Sequence, residues 1–122
     1  MPVHVFGDLR LDVREESRGL IRVDWQGKSN LANPESVITP FFADLTARAT
    51  RENAAIEMHF ESLEFFNSST ITAIIRYLKK LPPTLRLQVF YDPGHAWQKI
   101  FFDALWFVER SNKLFRIQAV AK

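Results

Sequence analysis

The chain contains no cysteine. That excludes disulfides, thiolate zinc sites and cysteine nucleophiles, and it fits a reducing, cytoplasmic setting. Glycine is scarce: Gly7, Gly19, Gly27 and Gly94 stand beside six prolines in 122 residues. Linker or fibrous character is thereby excluded. Neither G-x-G-x-x-G nor G-x-x-x-x-G-K-[ST] occurs. Gly27-Lys28-Ser29 ends like a phosphate loop, but Arg22 stands where that motif needs its first glycine, so the segment reads as a turn. No apolar run approaches the ~20 residues that cross a bilayer. Charge of one sign is lacking as well. Sixteen basic and fourteen acidic residues leave +2, too small an excess to imply a nucleic-acid or membrane partner. The opening Met1–Phe6 is soon followed by Asp8, Arg10 and Asp12, so a signal peptide is not expected.

What is present is 47% hydrophobic, 13% aromatic and 25% charged, the composition of one globular domain with one core. Residues alternate apolar and polar over Gly19–Trp25, Ala55–Glu61, Leu85–Tyr91 and Phe115–Ala119, and more weakly over Val3–Val13. Period-two patterning gives each strand a wet face and a dry one. A sheet covered on both faces would show continuous apolar runs instead. Lys28-Ser29-Asn30 and Pro82-Pro83 read as loops.

Three segments carry helical periodicity. The first ends near Ala49 and enters at Asn33-Pro34 or at Thr39-Pro40, with Ile38, Phe41, Phe42 and Leu45 on its stripe. The second spans Ser68–Leu81, stopped by Pro82-Pro83, with Ile71, Ile74, Ile75 and Leu78 at i, i+3, i+4 and i+7. The third spans Pro93 to about Val108, capped by Asp92, with Trp97, Ile100, Phe101, Ala104, Leu105 and Val108 facing inward. Phe102 and Trp106 lie about 100° off the Trp97–Phe101–Leu105 stripe and are candidates for a partner or dimer surface. The expected fold is a single α/β domain, a mixed sheet with helices packed on one face.

Chemistry-bearing clusters are few. His4, His59 and His95 are isolated, with no metal-ligand spacing between them, and read as solvated surface residues. No metal or cofactor is implied. No serine sits in a nucleophile elbow. Glu15-Glu16 and the alternating Glu57 and Glu61 are carboxylate pairs on polar strand positions, and the chain is short for a substrate cleft. The expectation is therefore a protein that is not an enzyme. A small ligand-binding or enzymatic domain using Glu57, His59 and Glu61 on the open sheet face is the alternative, and a structural module without a switch is another. Arg76, Lys79, Lys80 and Arg86 could form a basic patch, but a solvated helix face explains most of them and no RNA-binding motif accompanies them, so nucleic acid is not an expected partner.

One segment stands apart: Leu63-Glu64-Phe65-Phe66-Asn67-Ser68-Ser69-Thr70-Ile71-Thr72. It runs from the central strand into the second helix, with Asn67 or Ser68 as N-cap. The hydroxyls then lie beside unpaired backbone amides that receive a phosphate well. Phosphorylation there adds about −1.5 to −2 charges to a neutral surface. Ordinary capping and first-turn packing are the plainer explanation of the same residues.

The run IEMHFESLEFFNSSTITAIIRYLKKL resembles the centre of STAS domains, the anti-sigma factor antagonist family. Their pattern is an apolar strand, a turn, an apolar pair, then Asp-Ser-Ser-Gly opening a helix. Phe65, Phe66, Asn67, Ser68, Ser69 and Thr70 stand at those positions, with Asn67 for the family's aspartate and Thr70 for its glycine. The upstream GKSNLANPESVITPFFADL is similar to the SiaC-like branch of partner-switch proteins, which act on a diguanylate cyclase. The resemblance covers roughly residues 20–110, about three quarters of the chain. It implies that residues 1–122 form a single STAS-like domain and that the protein is a bacterial, cytoplasmic signalling component. Its expected partners are a switch kinase, a PP2C-type phosphatase and an effector such as a diguanylate cyclase or an anti-sigma factor. It implies phosphorylation at Ser68, with Ser69 as the second choice. The expected docking surface is Asn67, Ser68, Ser69, Thr70, Thr72 and Arg76, which Tyr77 could extend.

Overall fold

The computed structural model describes residues 3–120. Its elements run β1 (Val3–Phe6), β2 (Leu9–Ser17), β3 (Leu20–Ser29), α1 (Glu35–Glu52), β4 (Ala55–His59), β5 (Leu63–Phe66), α2 (Ser68–Lys79), β6 (Leu87–Tyr91), α3 (Ala96–Asp103), α4 (Trp106–Ser111) and β7 (Phe115–Ala119). One seven-stranded mixed sheet has the order β1-β2-β3-β4-β6-β7, with β5 paired to the end of β3. β1, β2 and β3 form an antiparallel meander. The remaining pairings are parallel, as helical crossovers require.

The alternating residues divide as their period demands. Leu11, Val13, Ile21, Val23, Trp25, Ile56, Met58, Leu87, Val89 and Phe115 are buried on one face. The helices cover that face and contribute Ile38, Phe42, Leu45, Ala73, Ile74, Leu78, Phe102 and Val108 to the same core. Its centre is aromatic: Trp25 stacks on Phe60 at 4.8 Å, and Phe60 meets Phe102 at 5.1 Å. The other face is polar. Arg22 and Asp24 pair on it, and among the described residues no helix lies on it.

One open choice is settled, and three details depart from the sequence pattern. The helix entry is at Asn33-Pro34, where Val37 N and Ile38 N bond to Pro34 O, and Pro40 rides inside α1 in its second turn. The cost is small there, because the carbonyl left without a donor belongs to Ser36, which is exposed. Lys28-Ser29 is not a loop but the end of β3. The third helix does not start at Pro93. Asp92 closes a turn onto Gly94 N, and α3 begins at Ala96. That helix also breaks at Ala104-Leu105 into α3 and α4, where tightened bonds run from Ala104 N to Phe101 O and from Leu105 N to Phe102 O. The break reverses several assignments. Phe102 is buried, and Ile100, at 73%, and Ala104 are exposed, whereas Trp106 is 54% exposed, as its place off the stripe suggests.

A short strand was also not marked in the sequence. β4 pairs with Leu20–Asp24 of β3, and β5 pairs with the stretch from Gly27 to Ser29, so the two lie in succession along one edge of β3. The jog between them exposes main-chain groups inside the protein. Fully buried Gln98 fastens it: Nε2 donates to Phe60 O at 2.8 Å and to Leu63 O at 2.9 Å, and Oε1 accepts from Asp92 N at 2.8 Å. Gln98→Leu keeps the volume, takes this partner from Leu63 O and Asp92 N and leaves Phe60 O with Leu63 N alone, so urea denaturation should read a loss of about 1–3 kcal/mol.

α1 and α2 meet through Tyr77. Its ring stacks on Phe42 at 4.1 Å and its hydroxyl bonds to Thr46 at 2.7 Å. Burial pushes the phenol above the ordinary value of 10.0, and the Thr46 bond partly offsets it. The folded phenol thus keeps its proton where the unfolded one ionises. The stability this contributes is complete below about pH 10 and is lost as pH rises through the folded value. Tyr77→Phe should lower stability at neutral pH by about 1 kcal/mol and flatten the alkaline decline, read from urea midpoints across the two ranges.

Candidate functional site

The start of α2 is held by a buried polar network that spans three segments. Asn67 is the N-cap, with extended backbone at φ −79° and ψ 172°. Its Oδ1 accepts from Thr70 N at 3.0 Å and from Thr70 Oγ1 at 2.7 Å. Thr70 has spent its one hydroxyl proton on Asn67, so at the 2.7 Å contact with Ser29 the serine is the donor. Asn67 Nδ2 donates to Leu31 O at 2.9 Å, and Asn67 N donates to Ser29 O at 2.9 Å. Ser29 and Thr70 are both fully buried.

The sequence places Ser29 there by a single device. Gly27 has φ +84°, and a Cβ on it would stand 2.2 Å from Asp8 O. Only glycine permits that approach of β3 to the β1–β2 turn, where Lys28 N bonds to Asp8 O at 3.1 Å. The β3–β5 register shifts at the same place, and Ser29 then lies opposite Phe66, next to the cap.

Of the residues expected on the docking surface, Ser68, Ser69, Thr72 and Arg76 are exposed and Asn67 is half-buried. Thr70 is not on that surface at all. It is fully buried and belongs to the network, because β3 packs against this side of the helix. Tyr77 is a packing residue between α1 and α2. Arg76 reaches across to α1 and pairs with Glu35. Ser29 and Leu31 were invisible as site residues, since their partners lie more than thirty positions away and no local spacing encodes the meeting. Thr72 Oγ1 donates back to Ser68 O at 3.0 Å. The first turn of α2 carries no acidic side chain.

Beside the exposed hydroxyls runs an apolar groove of about 430 Å³ between α2 and α3, lined by Phe66, Ile71, Trp97 and Phe101. Phe65, 47% exposed, and Ile100 stand on its rim. Large apolar side chains left in water next to a polar rim are the composition of a protein-binding surface.

The open sheet face is arranged differently from its expected solvated state. His59 is 11% exposed, and its ring stacks on Phe90 at 4.4 Å and 6°. Nε2 lies 3.1 Å from Glu57 Oε1, and Nδ1 lies 3.2 Å from Glu61 Oε1. Both carboxylates thus lie within hydrogen-bond distance of the one imidazole. Among the described residues no group of three or more His, Asp and Glu is placed to hold a metal ion. Two of the basic residues are engaged too: Arg86 donates to Asn53 O, and Lys79 sits 5.9 Å from the Phe107 ring centre. No helix among the described residues is long and apolar enough to cross a membrane. In comparison with known proteins, no family model matches the chain and no curated protein matches it in sequence.

Two substitutions test the network. Thr70→Val leaves Ser29 Oγ buried without an acceptor and should cost about 1–3 kcal/mol, while Thr70→Ser should recover most of it. Asn67→Asp keeps a good cap but sets a carboxylate against Leu31 O, where the amide donated. It should lower stability by about 1 kcal/mol at neutral pH, although asparagine and aspartate cap helices equally well elsewhere. Thermal melts of the variants decide both.

Proposed function

We propose that this domain is a phosphorylation-controlled protein-binding module of a bacterial, cytoplasmic partner-switching system. The reading joins the STAS-like, SiaC-like resemblance of the central segment to one observation. Ser68 and Ser69 present exposed hydroxyls on the first turn of a helix whose start is fixed by buried hydrogen bonds. In this reading a switch kinase phosphorylates Ser68, with Ser69 the second choice, and a PP2C-type phosphatase restores it. The effector is a diguanylate cyclase or an anti-sigma factor. It docks on Ser68, Ser69, Thr72 and Arg76 and places an apolar side chain in the groove beside Phe65 and Ile100.

The physical logic is charge rather than refolding. Asn67 takes one of the helix's free amides, and Ile71 N bonds to Asn67 O, so a phosphate at Ser68 meets the remaining first-turn amides without unfolding anything. Arg76 lies eight residues on, about 12 Å along the axis, and cannot neutralise it. A partner complementary to the neutral surface must then bury or expel a dianion, which costs several kcal/mol.

The test uses immobilised wild-type, Ser68→Ala and Ser68→Glu proteins, with retained host proteins identified by mass spectrometry. The first two should retain a kinase-like or signalling protein, and glutamate should weaken that binding about 100-fold, near 2.7 kcal/mol. Equal retention by all three sinks the switch and leaves Ser68 as a first-turn residue of a structural module.

A further inference from the structure

Charge is spread unevenly along the chain. Residues 76–86 and 106–116 carry seven cations and a single carboxylate, Glu109, although the net charge of the whole is only +2. That carboxylate is turned to the sheet edge, where its Oε2 accepts from Ile117 N at 2.9 Å. Arg76 pairs with Glu35, Arg86 donates to Asn53 O and Arg116 donates to Phe115 O. Lys79, Lys80, Arg110 and Lys113 are exposed, and none has a carboxylate partner among the described residues. Helix dipoles favour cations in a last turn, which accounts for Lys79 on α2 and Arg110 on α4. Lys80 and Lys113 stand past those turns.

These two segments enclose a groove of about 620 Å³ between the end of α2 and α4. Leu78, Leu81, Pro83, Phe107 and Val108 give it apolar walls, and Lys79 and Lys113 line it as well. No carboxylate lines it. Large apolar rings stand beside the cations: Trp106 is 54% exposed and Phe107 38%. Lys79 Nζ lies 5.9 Å from the Phe107 ring centre, and the Arg110 guanidinium lies 5.3 Å from that of Trp106. At an exposed site a ring face is a weak substitute for a carboxylate. The groove is thus apolar inside, positive at its rim and short of counter-charge.

We infer that this groove docks an acidic segment of a partner protein, a stretch in which a leucine or aromatic side chain is flanked by aspartates or glutamates. The apolar side chain enters between Leu78, Leu81, Pro83 and Val108, and the carboxylates meet Lys79 and Lys113. Charge complementarity sets the sign of the partner, and the concave apolar floor sets its shape. A bilayer surface offers nothing that fills a groove. Nucleic-acid bases stack on open aromatic faces, whereas Phe107 and Trp106 each have a cation over the ring. The groove lies at the far end of α2 from Ser68, eleven residues and roughly 16 Å along the axis. Both surfaces can therefore be occupied at once, and this docking does not depend on phosphorylation.

Fluorescence anisotropy with the full chain tests this. The probe is a labelled peptide with a Leu-Phe pair between two runs of glutamate. It should bind with a Kd below about 100 µM and more weakly as salt rises. Changing its glutamates to glutamine, or its Leu-Phe pair to Ser-Ser, should each weaken binding at least ~10-fold. On the protein, Lys79→Glu with Lys113→Glu should weaken it as much. Ser111→Trp fills the groove from its exposed rim, leaves every charge in place and should do the same. All three side chains are exposed, so the variants should melt close to wild type. No binding at about 1 mM peptide overturns the inference, as does binding that either variant leaves unchanged. Tighter binding of single-stranded DNA or of anionic phospholipid vesicles than of the peptide overturns it too. Should Ser111→Trp fail to fold, the Ser-Ser peptide decides the apolar half of the contact.

Discussion

The hydrogen bond between the hydroxyls of Ser29 and Thr70 ties the end of a strand to the first turn of a helix in a place water does not reach. Its net strength is ordinary, about 1 kcal/mol. Its importance lies in what it demands of its surroundings. Two buried hydroxyls need acceptors, and each acceptor must be held by something else. Thr70 finds Asn67 Oδ1, Asn67 finds Leu31 O, and Ser29 reaches the site through the close approach that Gly27 allows. Removing any member leaves a buried donor or acceptor unpaired, a larger loss than the bond itself. The network therefore fixes the position of α2 more sharply than apolar packing alone, which tolerates sliding.

The same device recurs at the jog between β4 and β5. Apolar burial supplies the bulk of the stability, through Trp25, Phe60 and Phe102 and their neighbours. It does not specify where a strand should break and step sideways. Gln98 does, because its amide satisfies two carbonyls and one N–H that exist in that arrangement and no other. The jog moves β5 to the far end of β3, β5 delivers Asn67 next to Ser29, and Asn67 opens α2. A glutamine on α3 and a glycine on β3, neither beside the exposed serines, together set where those serines stand.

Much of this was legible in the chain. Period-two runs located β3, β4, β6 and β7, and a strong i, i+3, i+4, i+7 stripe located α2 to within two residues of its end. The polar character of the second sheet face followed from the same alternation. What failed did so for physical reasons. β5 is four residues, Leu-Glu-Phe-Phe, too short and too evenly apolar to show a period. The break at Ala104-Leu105 carries no glycine or proline. Glu109 reaching Ile117 N holds α4 in its own direction, a tertiary bond with no local signature. Thr70 looked like a surface hydroxyl because first-turn threonines usually are, and its burial depends on a strand forty residues away. His59 looked solvated because its strand alternates, yet flanking glutamates on the same face and Phe90 on the next strand enclose it.

These two surfaces also differ in what they leave unsatisfied, and that difference bears on where function resides. On the open sheet face the polar side chains are already hydrogen-bonded to one another: Arg22 with Asp24, and His59 beside Glu57 and Glu61. A ligand binding there would first have to break pairs already made, and it would gain little in exchange. Around the start of α2 the balance is reversed. The buried half of the turn is fully bonded, whereas the exposed half offers hydroxyls, unpaired first-turn amides and an apolar groove with Phe65 and Ile100 in water. The bonded side chains of Ser29, Asn67 and Thr70 face inward, and the hydroxyls of Ser68 and Ser69 face outward. A partner that docks on this surface pays little to order it, because the ordering is already built into Ser29, Asn67 and Thr70. That is the physical ground for preferring a protein-binding role at α2 over chemistry on the sheet.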